Sequence, residues 1–307
     1  MWNMDFSPPQ VVEATILARL PDALRLPTAT GWASANKPGQ IVDCFLEGPS
    51  YDRDGNLWLT DIPHGRILRL SPALQWDVGA HTGGWPNGIA IHRDGSLWVA
   101  DYRAGLLKVD PASGRVETVL GHRNSEGFKG LNDLTFDREG RLYFTDQGQT
   151  GLHDPSGRVY RLGHDGRLDL LLSNVPSPNG IVLDPSQGVL YVAATRGNSI
   201  WRMPLLADGS VSKVGAFRTF FGASGPDGLA VDAEGRVVVA HASLGGAFVL
   251  DARGNVTHFV RAPGGTGTVT NAAFKPGTNI LVLTESHSGC VLQAELPSQG
   301  APLFSHA

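Results

Sequence analysis

Apolar and polar positions alternate along this chain in short blocks that recur on a near-constant period. In one block Ile89-Ala90-Ile91 is an apolar run and Arg93-Asp94-Gly95-Ser96 a polar turn in which glycine supplies positive φ. Leu97-Trp98-Val99-Ala100 is the returning run. Runs this short, bounded by turn residues, read as hairpin strands rather than helical turns. The hairpin occurs six times, opening at Glu47, Asn87, Asn132, Asn179, Asp227 and Asn271, with starts 40, 45, 47, 48 and 44 residues apart. A third run follows each: Arg66–Leu70, Gly105–Val109, Arg158–Leu162, Ser199–Met203, Gly246–Leu250 and Gly289–Gln293. A fourth precedes the next unit, as in Arg115–Leu120 and Asn255–Val260. The pattern predicts an all-β chain: a six-bladed β-propeller of four-stranded antiparallel blades.

Glu13–Arg19 has no unit of its own. It is expected to be the strand that completes the last blade and closes the ring, removing an exposed sheet edge. Residues 20–40, with three prolines, read as a surface loop near one mouth of the channel. Long connections at 121–130 and 147–157 mark the variable face, where substrate contacts usually sit. Because a blade cannot bury its faces alone, residues 1–307 are expected to form one domain.

Composition adjusts this picture only slightly. A net charge of −4 speaks against nucleic acid or an anionic membrane surface as partner. No apolar run approaches the ~20 residues of a bilayer span. The Met1–Pro9 stretch has neither a basic start nor an apolar core, so a cytoplasmic location is expected. Cys44 and Cys290 read as buried free thiols, although ring closure could bring them together. The pattern assigns no oligomeric state.

The chemistry lies in the six opening residues. Glu, Asn and Asp converging on one channel make a field of hard oxygen donors, without the thiolates and clustered imidazoles that favour zinc. Glu47 and Asp227 would balance a divalent cation and repel each other without one. Asn87 and Asn271 read first as turn residues, whereas Glu is a poor turn former. Asp61, Asp101 and Asp146 end second strands and read as turn stabilisers. His241 and His287 at or just past second strands, and His64 and Arg196 following them, are second-rank contacts.

At this point the blocks Glu47-Gly-Pro, Leu131-Asn132-Asp133, Ser177-Pro178-Asn179-Gly180 and Gly225-Pro226-Asp227-Gly228 resemble those of the gluconolactonase/regucalcin (senescence-marker-protein) family over roughly residues 40–295. The resemblance implies a metal-dependent hydrolase, mainly of lactones, acting on a small-molecule substrate. It implies Glu47, Asn179 and Asp227 as metal ligands, with Asn132 a ligand or substrate-orienting residue beside them. Asp227 would be the general base and Asn132 its catalytic companion. The implied cofactor is one divalent cation, Ca²⁺ foremost, with Mg²⁺, Mn²⁺ or Zn²⁺ as substitutes. Asn87, Trp85, Tyr102, Phe128, Lys129 and His287 are candidate substrate contacts. Phe221 also lies near a unit start, and each aromatic could equally be blade packing. One departure matters: sugar-lactone members carry Arg two residues before the third-block Asn, where this chain has Gly130. That argues against a sugar-acid lactone and leaves a non-sugar ring open, such as a cyclic ketone, a dione or a xenobiotic ester. A binding propeller without catalysis is the reading from another class. The metal-free strictosidine-synthase-like propeller would call for a different central set.

Overall fold

A computed structural model describes residues 8–265 and 267–306. The Met1–Pro9 stretch, on which the expected location rests, falls mostly outside them. Six four-stranded antiparallel sheets form a β-propeller ring. Their innermost strands are Leu46–Tyr51, Pro86–Ile91, Leu131–Phe136, Pro178–Leu183, Pro226–Val231 and Val269–Phe274. Each packs on the next, and the sixth packs on the first. The polar turns fall as expected: Gly55, Gly95, Gly140 and Gly235 all take φ between 80° and 88°.

The N-terminal strand does complete the sixth blade. Thr15–Arg19 runs antiparallel along Cys290–Glu295. The segment just before it has a second use. Gln10–Glu13 adds to the outer edge of the fifth blade, parallel to His258–Arg261. The seam between sixth and first blades is apolar, with Val282 and Val291 against Leu46, Leu59 and Leu68, and Leu17 and Leu20 at its edge. Fully burying such a side chain stabilises by about 1.5–3 kcal/mol.

Residues 20–40 are not the simple loop expected. A six-residue helix, Gly31–Asn36, forms there, capped by Thr30 Oγ1 accepting from Ala33 N at 3.1 Å. Trp32 anchors it, packing on Phe45 with centroids 4.7 Å apart and joining Ile62 and Trp85 in one apolar cluster. The two cysteines are free and buried. Among the described residues, no helix is long and apolar enough to cross a membrane.

The crowding of the inner strands explains the glycine that follows four of the six opening residues. A Cβ at Gly48 would collide with Asn87 O, at Gly180 with Asp227 O, and at Gly228 with Asn271. At these positions only glycine fits. Threonine hydroxyls then tie one blade to the next: Thr60 Oγ1 donates to Asn87 O at 2.7 Å, Thr145 Oγ1 to Asn179 O and Thr195 Oγ1 to Pro226 O, both at 2.8 Å.

Candidate active site

The strand order brings the expected donors to one end of the channel. Glu47, Asn132, Asn179 and Asn271 are buried there, while Asp227 retains solvent-facing surface. Glu47 Oε2 accepts from Gly48 N and from Asn271 Nδ2, both at 2.8 Å. Asn271 Oδ1 also accepts from Ala272 N at 2.8 Å. Asn271 therefore makes the turn-type bond read from sequence and also clamps Glu47 across the seam, a role its position in the chain did not reveal. Asn132 Nδ2 donates to Gln147 Oε1 at 3.0 Å, which commits the donor end of the amide and leaves its acceptor end. The Asn179 amide lies close enough to Asp227 to favour its charged form.

A third carboxylate joins this set. Asp133 occupies the position that is glycine in four of the blades, and it lies where a Cβ on Gly88 would be. Its Oδ1 accepts from Leu134 N at 2.9 Å. Sequence reasoning quoted the residue without assigning it a role. The signal was there: Asp133 is the only charged side chain that directly follows an opening residue.

Electrostatically the three carboxylates are unhappy neighbours. Burial, then the Glu47 and Asp133 charges, push Asp227 well above the usual carboxylate range. Burial, then Glu47, push Asp133 up to about 8, against the pull of two backbone N–H groups. Burial raises Glu47 as well, opposed first by Asn271. Among the described residues, no three His, Cys, Asp or Glu side chains form a metal-binding cluster. A cation here would instead be held by mixed carboxylate and amide oxygens, a donor set that suits Ca²⁺, Mg²⁺ or Mn²⁺ better than zinc. Mutually repelling buried carboxylates with no side-chain cation paired to them fit such a group.

The remaining candidates separate. Tyr102 and Trp85 stand together with centroids 5.5 Å apart. The Tyr102 ring lies over Gly130, where an added Cβ would sit 2.5–2.6 Å from three ring carbons. Gly130 also has φ of 150°, so the space an Arg would need there is filled. Phe128 packs edge-on to Phe144 and Tyr160 inside the third blade and is not gathered with them. Lys129 lies beneath the 147–157 connection, beside Asp146 and Asp154. His287 is exposed and its backbone N–H donates to Glu285 Oε1. Asn87 is half-buried, and its carbonyl is held by Thr60. Phe221 is 78% exposed on a loop. His241 is buried with Nε2 unpartnered between Phe220 and Phe248, and burial lowers it to about 4.

Comparisons with known proteins place the chain in a family. The family described as SMP-30/Gluconolactonase/LRE-like region matches residues 45–287. The chain is similar to lactonase drp35 of Staphylococcus epidermidis, 28% identical over 285 residues, 86% of this chain and 85% of that one. In structure it is similar to a gluconolactonase of Xanthomonas campestris, with TM-score 0.74 and 23% identity over 95% of this chain and 98% of that one. It is also similar to regucalcin, a calcium-binding protein of Agrobacterium tumefaciens, with TM-score 0.73 and 22% identity over 97% and 98% of the two chains. The two structural likenesses speak for the fold alone.

Proposed function

The chain belongs to the SMP-30/gluconolactonase/LRE-like family, and on that premise we propose that it is a divalent-cation-dependent hydrolase that opens a lactone at the Asp227 end of its channel. The observation that carries this reading is the group of Glu47, Asp133 and Asp227, buried against one another without a paired side-chain cation. Glu47, Asn179 and Asp227 would hold the cation, with Asn132 beside them. When bound, it polarises the ester carbonyl and makes water easier to deprotonate.

The chain's own residues do the rest. Asn271 and Gly48 N fix the Glu47 carboxylate, so its direction costs no reorganisation during reaction. Asn132, tethered to Gln147, offers its amide oxygen to orient the substrate or the attacking water. Asp227, the carboxylate of the three with open surface, takes a proton from that water as oxygen bonds to the carbonyl carbon. The acyl C–O bond then breaks, and the proton passes from Asp227 to the leaving ring oxygen. One water is consumed and a hydroxy acid is released.

Lactone hydrolysis by the isolated protein, before and after EDTA and with Ca²⁺ restored, tests the proposal. Loss on chelation and recovery on restoration are expected. Full turnover after exhaustive chelation would sink the cation's part, and inactivity on every lactone offered would sink the reaction.

A further inference from the structure

The face around Asp227 carries a side-chain cation, Arg196, that the reaction above does not use. Arg196 lies in the turn Thr195–Gly197, which follows the fourth blade's second strand. That turn is held on every side. Thr195 N donates to Ser177 O at 3.0 Å, Thr195 Oγ1 to Pro226 O at 2.8 Å, and Asn198 N to Thr195 O at 3.1 Å. Asn198 closes it in the left-handed region at φ 47°. Gly225, two residues before Asp227, sits directly against the Thr195 backbone. Arg196 is thus presented from a rigid platform beside the strand that carries Asp227. Its Cβ also faces Gly151 of the 147–157 connection, next to His153.

Two contrasts single it out. Lys129, the nearer in sequence to Asn132, has Asp146 and Asp154 as acidic neighbours. Arg196 is exposed and, among the described residues, has no ion-pair partner; the Asp227 carboxylate feels its charge. A guanidinium held without a carboxylate partner beside a reactive centre is a ready fork for a planar anion.

Two blades round the same mouth lies an aromatic flank. Tyr102 fills the space above Gly130, packs near Trp85, and is steadied by Gln149 Nε2 donating to its hydroxyl at 3.1 Å. Gln149 and Gly151 belong to one connection, and Thr150 between them is pinned by Ser177 N at 3.1 Å. One short segment therefore spans from the aromatic flank to the cationic one, passing Gln147, which holds Asn132.

Resting on the lactonase reading, we propose that Arg196 is a specificity-determining residue that grips a carboxylate substituent, and that the substrate is a lactone with one anionic group and an otherwise hydrocarbon ring. The ring lies on the Tyr102 side, the ester carbonyl over Asn132 and Asp227, and the carboxylate at Arg196. A carboxylate substituent that lies away from the cation is held where a fixed positive charge meets it, and Arg196 supplies one.

The test uses the full chain with Ca²⁺ and two matched pairs of ligands. A carboxymethyl γ-lactone and its carboxamide are compared for kcat/KM, and the corresponding non-hydrolysable cyclopentanone acid and amide are compared for Kd by calorimetry. The wild type is expected to favour the acid of each pair by on the order of tenfold or more. Arg196→Met should collapse that ratio to about one, Arg196→Glu should invert it, and Arg196→Lys should keep part of it. A wild type without acid preference in the calorimetric pair, or a preference that survives in Arg196→Met, overturns the assignment. Because the ketone pair reads binding alone, failure of both lactones to turn over would count against the hydrolase reading while Arg196 is still judged.

Discussion

Two sets of buried carboxylates occupy this ring, and they are built on opposite terms. Asp61, Asp101, Asp146 and Glu285 close the ends of second strands. Asp101 Oδ1 accepts from Trp85 N, Arg103 N and Ala104 N at 2.9–3.0 Å, and its Oδ2 from Thr82. Asp61 takes Phe45 N and pairs with Arg66, Asp146 takes Gly130 N, and Glu285 takes three backbone N–H groups. Asp61, Asp101 and Glu285 bring donors to both oxygens, while Asp146 Oδ2 is buried without one. Nearer the axis, Glu47 raises the proton affinity of Asp133, and both raise that of Asp227. Burial is common to both sets. What distinguishes the inner set is a demand for positive charge that its own neighbours leave unmet, and that demand singles out the candidate site better than burial does.

Substitution should split the two sets cleanly. Asp227→Asn is expected to cut kcat about 10²–10⁴-fold, the range of a lost general base, while leaving the urea midpoint without Ca²⁺ unchanged or higher. Asp101→Ala should do the reverse. Three stranded backbone donors would cost about 2–4 kcal/mol in urea unfolding, with kcat of the folded fraction within tenfold. If both variants lose stability alike, the contrast fails.

Ca²⁺ sharpens the same distinction. At about 100 times its Kd it should stabilise the wild type by roughly 2.7 kcal/mol. Calorimetric melting should show most of that gain missing in Asp227→Asn and fully present in Asp101→Ala.

His241 gives the smallest effect. It stands where other blades carry the anchoring carboxylates, and its ring is buried. The unfolded imidazole binds a proton near 6.5, and the folded one only near 4. Its contribution is therefore complete above 6.5 and lost as pH falls from there toward 4, on the order of 2 kcal/mol. His241→Phe, seated between Phe220 and Phe248, should flatten that slope relative to wild type. Parallel slopes would show the ring to be accessible.

The period of short apolar runs was enough to place the strands, because each hairpin's turn chemistry is local. The anchoring role of Asp61, Asp101 and Asp146 was legible for the same reason. What escaped was set at a distance. The Asn271 clamp on Glu47 joins residues 224 apart and exists only once the ring has closed. The helix Gly31–Asn36 depends on Trp32 finding Phe45 and Ile62, and the parallel strand Gln10–Glu13 on an edge made by the fifth blade. Asp133 could have been found, since a carboxylate where four blades carry glycine sits against the axis. The Gly130 substitution was visible, but the Tyr102 ring that fills its space belongs to another blade.

The latch at the start of the chain has a consequence for biosynthesis. Arg19 meets its partner Cys290 across 271 residues. At roughly 5–20 residues per second, a ribosome needs on the order of 15–55 s to supply the second half of that pairing. Throughout that interval the first strands made have no sheet to join, and the growing propeller is an open fan with two raw edges. Cellular yield should therefore respond to translation speed and holdase capacity more sharply than the stability of the finished ring would suggest.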